Sequence, residues 1–330
     1  MNEIIDPDVT GTRGEHPDVD IDALEALNVA ILTPKQLAWR RYWHHQGAAV
    51  STIIMMVLLV IVLAAPWTAR YGINTQVAPP PGNVFMTPQK VAWFGTDDIG
   101  HDLYSRLIWG VRTSLFIGVA SAILSVVVGT AVGAVAGLRG GKFDDLMMRV
   151  TDLFLAFPFL VAVIILREFL GNVGWITAVI GEKTSIKFII FLFAFFGWMG
   201  VSRLVRGQVL ALKEREFIEA ARAVGASNTR IVISHLLPNA IGPILVALTI
   251  SVIGAIVGES TLSFFALGPQ PGSDSTSLGK LIELSREGAR QGNWWLVAFP
   301  CGALVLLAIC INFIGDGMRD AVDAKMDIGS

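Results

Sequence analysis

Long stretches without a charged residue constrain the fold of this chain more than any other feature. Four of them, Gln46–Ala69, Thr113–Leu138, Leu236–Gly258 and Gln291–Gly315, contain no Asp, Glu, Lys or Arg. A helix needs about 20 mostly apolar residues to cross the hydrocarbon core of a bilayer, which is roughly 30 Å thick. Each stretch is long enough, so the sequence predicts a membrane protein with at least four spanning helices.

Two shorter stretches complete the predicted set of membrane helices. Leu153–Leu166 and Phe188–Ser202 are uncharged for 14 and 15 residues, and their polar flanks can lie at the two interfaces. Only 16% of the chain is charged, against about 25% in ordinary soluble domains. The sequence therefore predicts an all-α membrane protein with six transmembrane helices.

The six helices divide the chain into segments. We expect residues 1–45 to form an acidic, flexible tail and a pre-membrane segment, because the first 34 residues hold eight acids and one base. The predicted segments after it are a first transmembrane helix at 46–69, an external loop at 70–112, a core of five helices at 113–315 and a C-terminal tail at 316–330.

The distribution of basic residues predicts the orientation. With both termini inside, 15 of the 25 Lys and Arg residues are cytoplasmic, and the stretch Arg203–Arg230 is the clearest contributor. Cytoplasmic loops of membrane proteins carry an excess of Lys and Arg. We expect a multi-pass protein of a prokaryotic plasma membrane with cytoplasmic N- and C-termini.

Glycine spacing and one proline predict how the helices pack and bend. Gly129, Gly133 and Gly137 recur every fourth residue, a spacing that lets a neighbouring backbone approach closely. Pro158 removes a backbone hydrogen bond and is expected to kink the third helix. Such a kink is a candidate gate, although a static bend has the same signature.

The sequence contains no recognisable catalytic or metal-binding pattern. Its five histidines lack the spacing of metal ligands, and Gly181-Glu182-Lys183-Thr184 lacks the glycine that a phosphate-binding loop needs before its lysine. A net charge of −2 gives no indication of a nucleic-acid partner. We expect no enzymatic activity, no metal and no cofactor in this chain.

Glu259 is the one serious candidate for an ionisable group inside the membrane. A rise of 1.5 Å per residue puts it about 30 Å from a helix start near Asn239, close to the outer interface. Carriers driven by ion gradients relay charge near the middle of the bilayer. The position of Glu259 favours a role in gating or packing.

The segment between the fourth and fifth predicted helices is amphipathic. We predict two short helices, the first ending where Gly225 adopts a left-handed conformation and the second capped by Ser227 and stopped by Pro238. An amphipathic helix between two spans is typical of a docking site for a partner. The apolar face of the first helix comprises Phe217, Ala220, Ala221 and Val224.

This segment resembles a known family. The run Glu219-Ala220-Ala221, followed by Gly225 and by Leu237-Pro238, is similar to the EAA signature of ABC import permeases. The runs beginning at Gly95, Arg203, Glu259 and Gly315 resemble further motifs of the dipeptide and oligopeptide branch. The outer segments Gly171–Lys187 and Gly272–Gly279 depart from the family pattern, which leaves receptor docking open.

The resemblance implies a C-type subunit with the type I, MetI-like fold of ABC importer permeases. It implies a heterodimer with a B-type permease, two ATPase subunits that bind ATP and Mg, an external solute-binding protein and a peptide cargo. The cytoplasmic loop 204–239 would couple to the ATPases. The coupling residues implied are Glu219, Ala220, Ala221, Gly225, Leu237 and Pro238.

Three alternatives remain open at the level of sequence. The chain could be a permease for another small solute of the same family, such as nickel, glutathione or an opine. It could also be an ATP-independent carrier or channel. A non-transporting membrane scaffold is the third, and it would leave the EAA segment without a function.

Overall fold

The computed structural model describes residues 33–78, 84–269 and 276–323, so the acidic tail predicted at the N-terminus lies almost wholly outside the described residues. Regular structure in the described ranges is helical, apart from two isolated backbone bridges. The helices are α1 Pro34–His44, α2 Gln46–Leu63, α3 Ala65–Thr68, α4 Leu103–Arg139, α5 Gly141–Leu155, α6 Phe159–Gly171, α7 Gly174–Ile180, α8 Ile186–Leu212, α9 Glu216–Ala223, α10 Asn228–Ile231, a π-helix Val232–Leu236, α11 Leu237–Phe264, α12 Leu278–Arg290 and α13 Trp295–Asp323.

Five helical segments in the described ranges are long and apolar enough to cross a membrane. They are α2, α4, α8, the continuous segment Asn228–Phe264 and α13 up to Val322. Helices α5 and α6 meet the same criteria together but are bent by 95° where they join. The all-helical membrane fold is therefore confirmed, with five spans, or six if the bent pair is counted as one.

Several helices extend beyond the uncharged stretches that predicted them. Helix α4 begins at Leu103, inside the predicted external loop 70–112, and α13 continues to Asp323, inside the predicted tail 316–330. Helix α8 likewise continues to Leu212. A charge ends an apolar stretch but does not end a helix, because Arg and Lys are good helix formers. The membrane boundary and the helix boundary are therefore different positions.

The third predicted span is broken at Pro158. Helix α5 ends at Leu155, and Pro158 is the N-cap residue of α6, with a ψ of 119°. Proline cannot donate a backbone hydrogen bond, and its ring disfavours a helical conformation of the residue before it. The bend predicted at Pro158 is present, but it is a break between two separate helices rather than a kink within one helix.

The three spaced glycines of α4 face α8. A Cβ atom at Gly129 would lie 2.6 Å from the carbonyl oxygen of Trp198, and one at Gly137 would lie 2.9 Å from Cγ1 of Val209. At Gly133 the added carbon would collide with the carbonyl oxygen of Ser202. The two backbones therefore approach along several turns at a distance that only glycine permits.

Candidate functional site

The predicted coupling segment lies between the two long helices α8 and α11. Helix α9 ends in a Schellman motif, in which Gly225 N–H donates to Arg222 O at 2.9 Å and Ala226 N–H donates to Ala221 O at 3.0 Å. Gly225 has a φ of +84°, and the hydroxyl of Ser227 accepts from Arg230 N–H at the start of α10. A tight, glycine-dependent turn thus separates the two short helices.

The apolar face predicted for α9 is divided in the structure. Ile218 and Ala221 are buried, and Ile218 packs in a cluster with Val205 and Val209 of α8. Phe217 and Val224 are 42% and 86% exposed. The sequence interpretation placed Ala221 on the exposed face and overlooked Ile218, which attaches α9 to the membrane helices.

The exposed side of α9 carries a compact surface, which we call the coupling surface: Phe217, Glu219, Ala220 and Val224. All four residues are exposed, and three of them are apolar. The fourth adds a carboxylate. A surface of this composition, between two spanning helices and fixed from beneath by Ile218, is suited to rest in a groove of another protein.

Pro238 does not stop the second short helix. The chain is helical without interruption from Asn228 to Phe264, and the turn before Pro238 is a π-helix. Leu237 N–H donates to Val232 O, which is the wider i to i−5 hydrogen bond. Proline lacks an N–H, and this is tolerated in the first turn of α11, where Leu237 is half-buried and Pro238 exposed. The coupling segment is thus continuous with the fifth span.

Two ion pairs connect α8 to α5 beside the coupling segment. Arg206 makes a bidentate contact with Asp144, with both N–O distances at 2.5 Å, and Arg203 pairs with Asp152. Sequence analysis identified neither pair, because the partners are 51 and 62 residues apart along the chain. Bidentate Arg–carboxylate pairs fix orientation as well as distance, so α8 and α5 are held in one arrangement.

Glu259 is the centre of a buried hydrogen-bond network. It has no exposed surface, and it accepts from the hydroxyls of Ser263 and Ser277 at 2.7 Å and of Ser114 at 3.0 Å. Ser114 also accepts from Leu278 N–H at 3.1 Å. The network joins α4, α11 and the start of α12. Pro158, the other residue considered for gating, has no donor to offer such a network and lies at the break between α5 and α6.

An open cleft runs between α8 and α11. Its volume is about 570 Å³, and its walls include Gly197 and Gly200 of α8, Gly242 and Ser251 of α11, and Arg319 of α13. Among the residues that the structure describes, no three His, Cys, Asp or Glu side chains come together as metal ligands.

The chain matches two families of known proteins. Residues 129–328 match the family described as binding-protein-dependent transport system inner membrane component. Residues 33–83 match the N-terminal TM domain of oligopeptide transport permease C.

Several relatives match this chain over most of their own length and have the same kind of name. The dipeptide transport system permease protein DppC of Bacillus subtilis is 34% identical over 89% of this chain and 87% of its own. The oligopeptide transport system permease protein OppC is 37% identical in Bacillus subtilis, over 80% and 81% of the two chains. In Haemophilus influenzae it is 36% identical, over 92% and 93%.

A solved structure shares the fold. A chain of the MetNI methionine ABC transporter, in an inward-facing conformation, superposes with a TM-score of 0.52 over 67% of this chain and 97% of its own, at 23% identity. The fold, the two family matches and the extent of the relatives all agree. The chain therefore belongs to the family of binding-protein-dependent transport system inner membrane components, in the branch of the oligopeptide and dipeptide permease C proteins.

Proposed function

We propose that this chain is the C-type permease subunit of an ATP-driven importer of di- and oligopeptides. The observation that carries the proposal is the coupling surface on α9, an exposed and mostly apolar patch fixed between two spans, in a chain of the permease C branch. The relatives named as dipeptide and oligopeptide permeases support peptides as the cargo.

The coupling surface is the proposed contact with separate ATPase subunits, which bind ATP and Mg. Phe217, Ala220 and Val224 would fill a groove of the ATPase, and Glu219 would meet a basic residue at its edge. Gly225 sets the angle of α9, whereas Ala221 and Leu237 attach the segment to the core, and Pro238 lies exposed in the first turn of α11. The chain itself performs no covalent chemistry and holds no cofactor. This arrangement requires the coupling surface, and with it both termini, on the cytoplasmic side.

The buried contacts of α9 support a mechanical route from the ATPases to the membrane. ATP binding would bring the two ATPase subunits together and draw α9 with them. Ile218 packs on Val205 and Val209, so a displacement of α9 is passed to α8. The Arg206–Asp144 pair extends it to α5. Closely packed elements move as rigid bodies. The pathway therefore opens to the outside when ATP binds, and it closes to the outside again after hydrolysis.

The remaining partners follow from the family. We propose a B-type permease as the second half of a six-plus-six-helix heterodimer and an external solute-binding protein that delivers peptide. The cleft lined by Gly197, Gly200 and Gly242 is the proposed contribution of this subunit to the peptide pathway. An ion-driven carrier is disfavoured, because Glu259 is engaged by three hydroxyls near the end of α11.

Cargo is tested by uptake in cells that lack this chain. Restoring the chain should restore accumulation of a labelled dipeptide and a labelled pentapeptide, and an excess of unlabelled peptide should compete. Excess nickel, glutathione or an opine should not compete, because these are the alternative cargoes and the proposed binding sites accept di- and oligopeptides. Restored nickel or opine uptake without peptide uptake would contradict peptides as the cargo and keep the family assignment.

A further inference from the structure

A second, almost wholly apolar groove runs along α4 on the side of the first span. Its volume is about 820 Å³. Leu59 of α2, Phe116 and Ile123 of α4, and Val252 of α11 contribute to its walls. Among its described lining residues the one charged side chain is Arg112.

The length of α4 indicates the depth of this groove in the bilayer. Arg112 and Arg139 are 27 residues apart on one helix, or about 40 Å, which equals a bilayer with its headgroup regions. Each arginine therefore lies at a headgroup level. From Arg112 to Ile123 the helix rises about 16 Å, which is half of the roughly 30 Å hydrocarbon core. The groove thus extends through one leaflet.

Arg112 is half-buried at the headgroup end of the groove. Its guanidinium lies over the ring of Trp109, 5.1 Å from the centroid. Among the described residues no carboxylate forms an ion pair with it, whereas Arg106, Arg203 and Arg206 each have one. Arg139, at the other end of α4, also lies over an aromatic ring without an ion pair in the described ranges, but it does not line this groove. A half-buried cation is stabilised by an anion, and a guanidinium is well matched to a phosphate.

We propose that this groove binds one membrane phospholipid, with its phosphate on Arg112 and one acyl chain along Phe116 and Ile123. A spanning helix of a partner subunit would cover the same apolar wall, but it would need a carboxylate at the headgroup level to pair with Arg112. Trp109 beside the guanidinium fits the headgroup level as well, since tryptophan is enriched there. The site goes beyond the proposed transport function and depends only on the chain being in a membrane.

Native mass spectrometry tests the site on the full-length chain, purified with the subunits that remain attached to it. The preparation is titrated with phosphatidylglycerol or with diacylglycerol of the same acyl chains, which lacks the phosphate. We expect several-fold tighter binding of phosphatidylglycerol. Arg112→Gln should weaken that binding about tenfold, as for the loss of a charge-assisted hydrogen bond, and should leave diacylglycerol binding unchanged.

A neighbouring pair of residues provides the matched control for the apolar wall. Ile123 lines the groove and is 48% exposed, whereas Leu124 is 46% exposed on another face of α4. Ile123→Trp should reduce binding of both lipids, and Leu124→Trp should change neither. Unchanged phosphatidylglycerol binding in Arg112→Gln would overturn the proposal. Loss of an attached permease subunit in Ile123→Trp, with lipid binding unchanged, would assign the groove to that subunit instead.

Discussion

Replacing Gly225 with valine should leave the chain in the membrane and abolish ATP-driven uptake. Gly225 has a φ of +84°, and no atom lies within 4 Å of the position that a Cβ would occupy, so the damage comes from backbone strain and not from a collision. A left-handed conformation costs a residue with a side chain about 1–2 kcal/mol, and more when the residue is β-branched. The turn should relax and tilt α9, which displaces the coupling surface. The measurement is retention of the ATPase subunits on the solubilised permease, alongside uptake in the same cells.

Gly292 provides a matched control for this strain. It has a φ of +88° and equally open surroundings, but it connects α12 to α13 far from α9 in sequence. Gly292→Val should therefore keep the ATPases attached. Glu219→Lys, which reverses a charge on the coupling surface without straining the backbone, should lose them. Normal retention and normal uptake in both Gly225→Val and Glu219→Lys would refute the assignment of residues 219–238 as the coupling site.

Replacing Glu259 with leucine should destabilise the helix bundle where α4, α11 and the start of α12 meet. Three serine hydroxyls lose their acceptor at once in a site without solvent, and each buried polar group left without a partner costs about 1–3 kcal/mol. Mutual rearrangement of the hydroxyls offsets part of this, so we expect a net loss on the order of 3 kcal/mol. The loss of stability is measured by thermal unfolding of the detergent-purified chain, monitored by tryptophan fluorescence.

Glu259→Gln is the conservative companion. Its amide keeps one acceptor oxygen and can donate to a neighbouring hydroxyl, so most of the network should survive. We expect normal assembly of the complex and an altered transport rate, because the network joins α12 to two spanning helices. Equal stability of Glu259→Leu and the unaltered chain would show that the network has no structural role. A changed dependence of Glu259→Gln uptake on the proton gradient would favour the carrier alternative.

The sequence predicts the fold well where one physical property decides it. Spans such as Gln46–Leu63 are recognisable because the bilayer demands a long uncharged stretch. The ends of the helices cannot be recognised in this way, because Leu103–Arg112 and Asp316–Asp323 are helical although they contain charged residues. The break at Pro158 could be located from sequence, whereas its angle depends on how α6 packs against its neighbours.

The conformation of the coupling segment was predictable where it depends on neighbouring residues in the sequence. The conformation of Gly225 and the cap at Ser227 are local, and a local sequence encodes them. The burial of Ile218 depends on Val205 and Val209, which belong to a separate helix. The partners of Glu259 are more remote still, because Ser114 is 145 residues away along the chain. Periodicity in one segment cannot reveal such contacts.

The central claim, that this chain couples separate ATPases to peptide import, is tested most directly by reconstitution in liposomes. The permease is co-expressed with its partner permease and ATPase subunits, and the solute-binding protein and a labelled peptide are added on the outside. We predict that both together stimulate ATP hydrolysis, and that peptide accumulates inside only with ATP, with little accumulation for Glu219→Lys. Peptide accumulation that persists without the ATPase subunits and follows an ion gradient would contradict the claim.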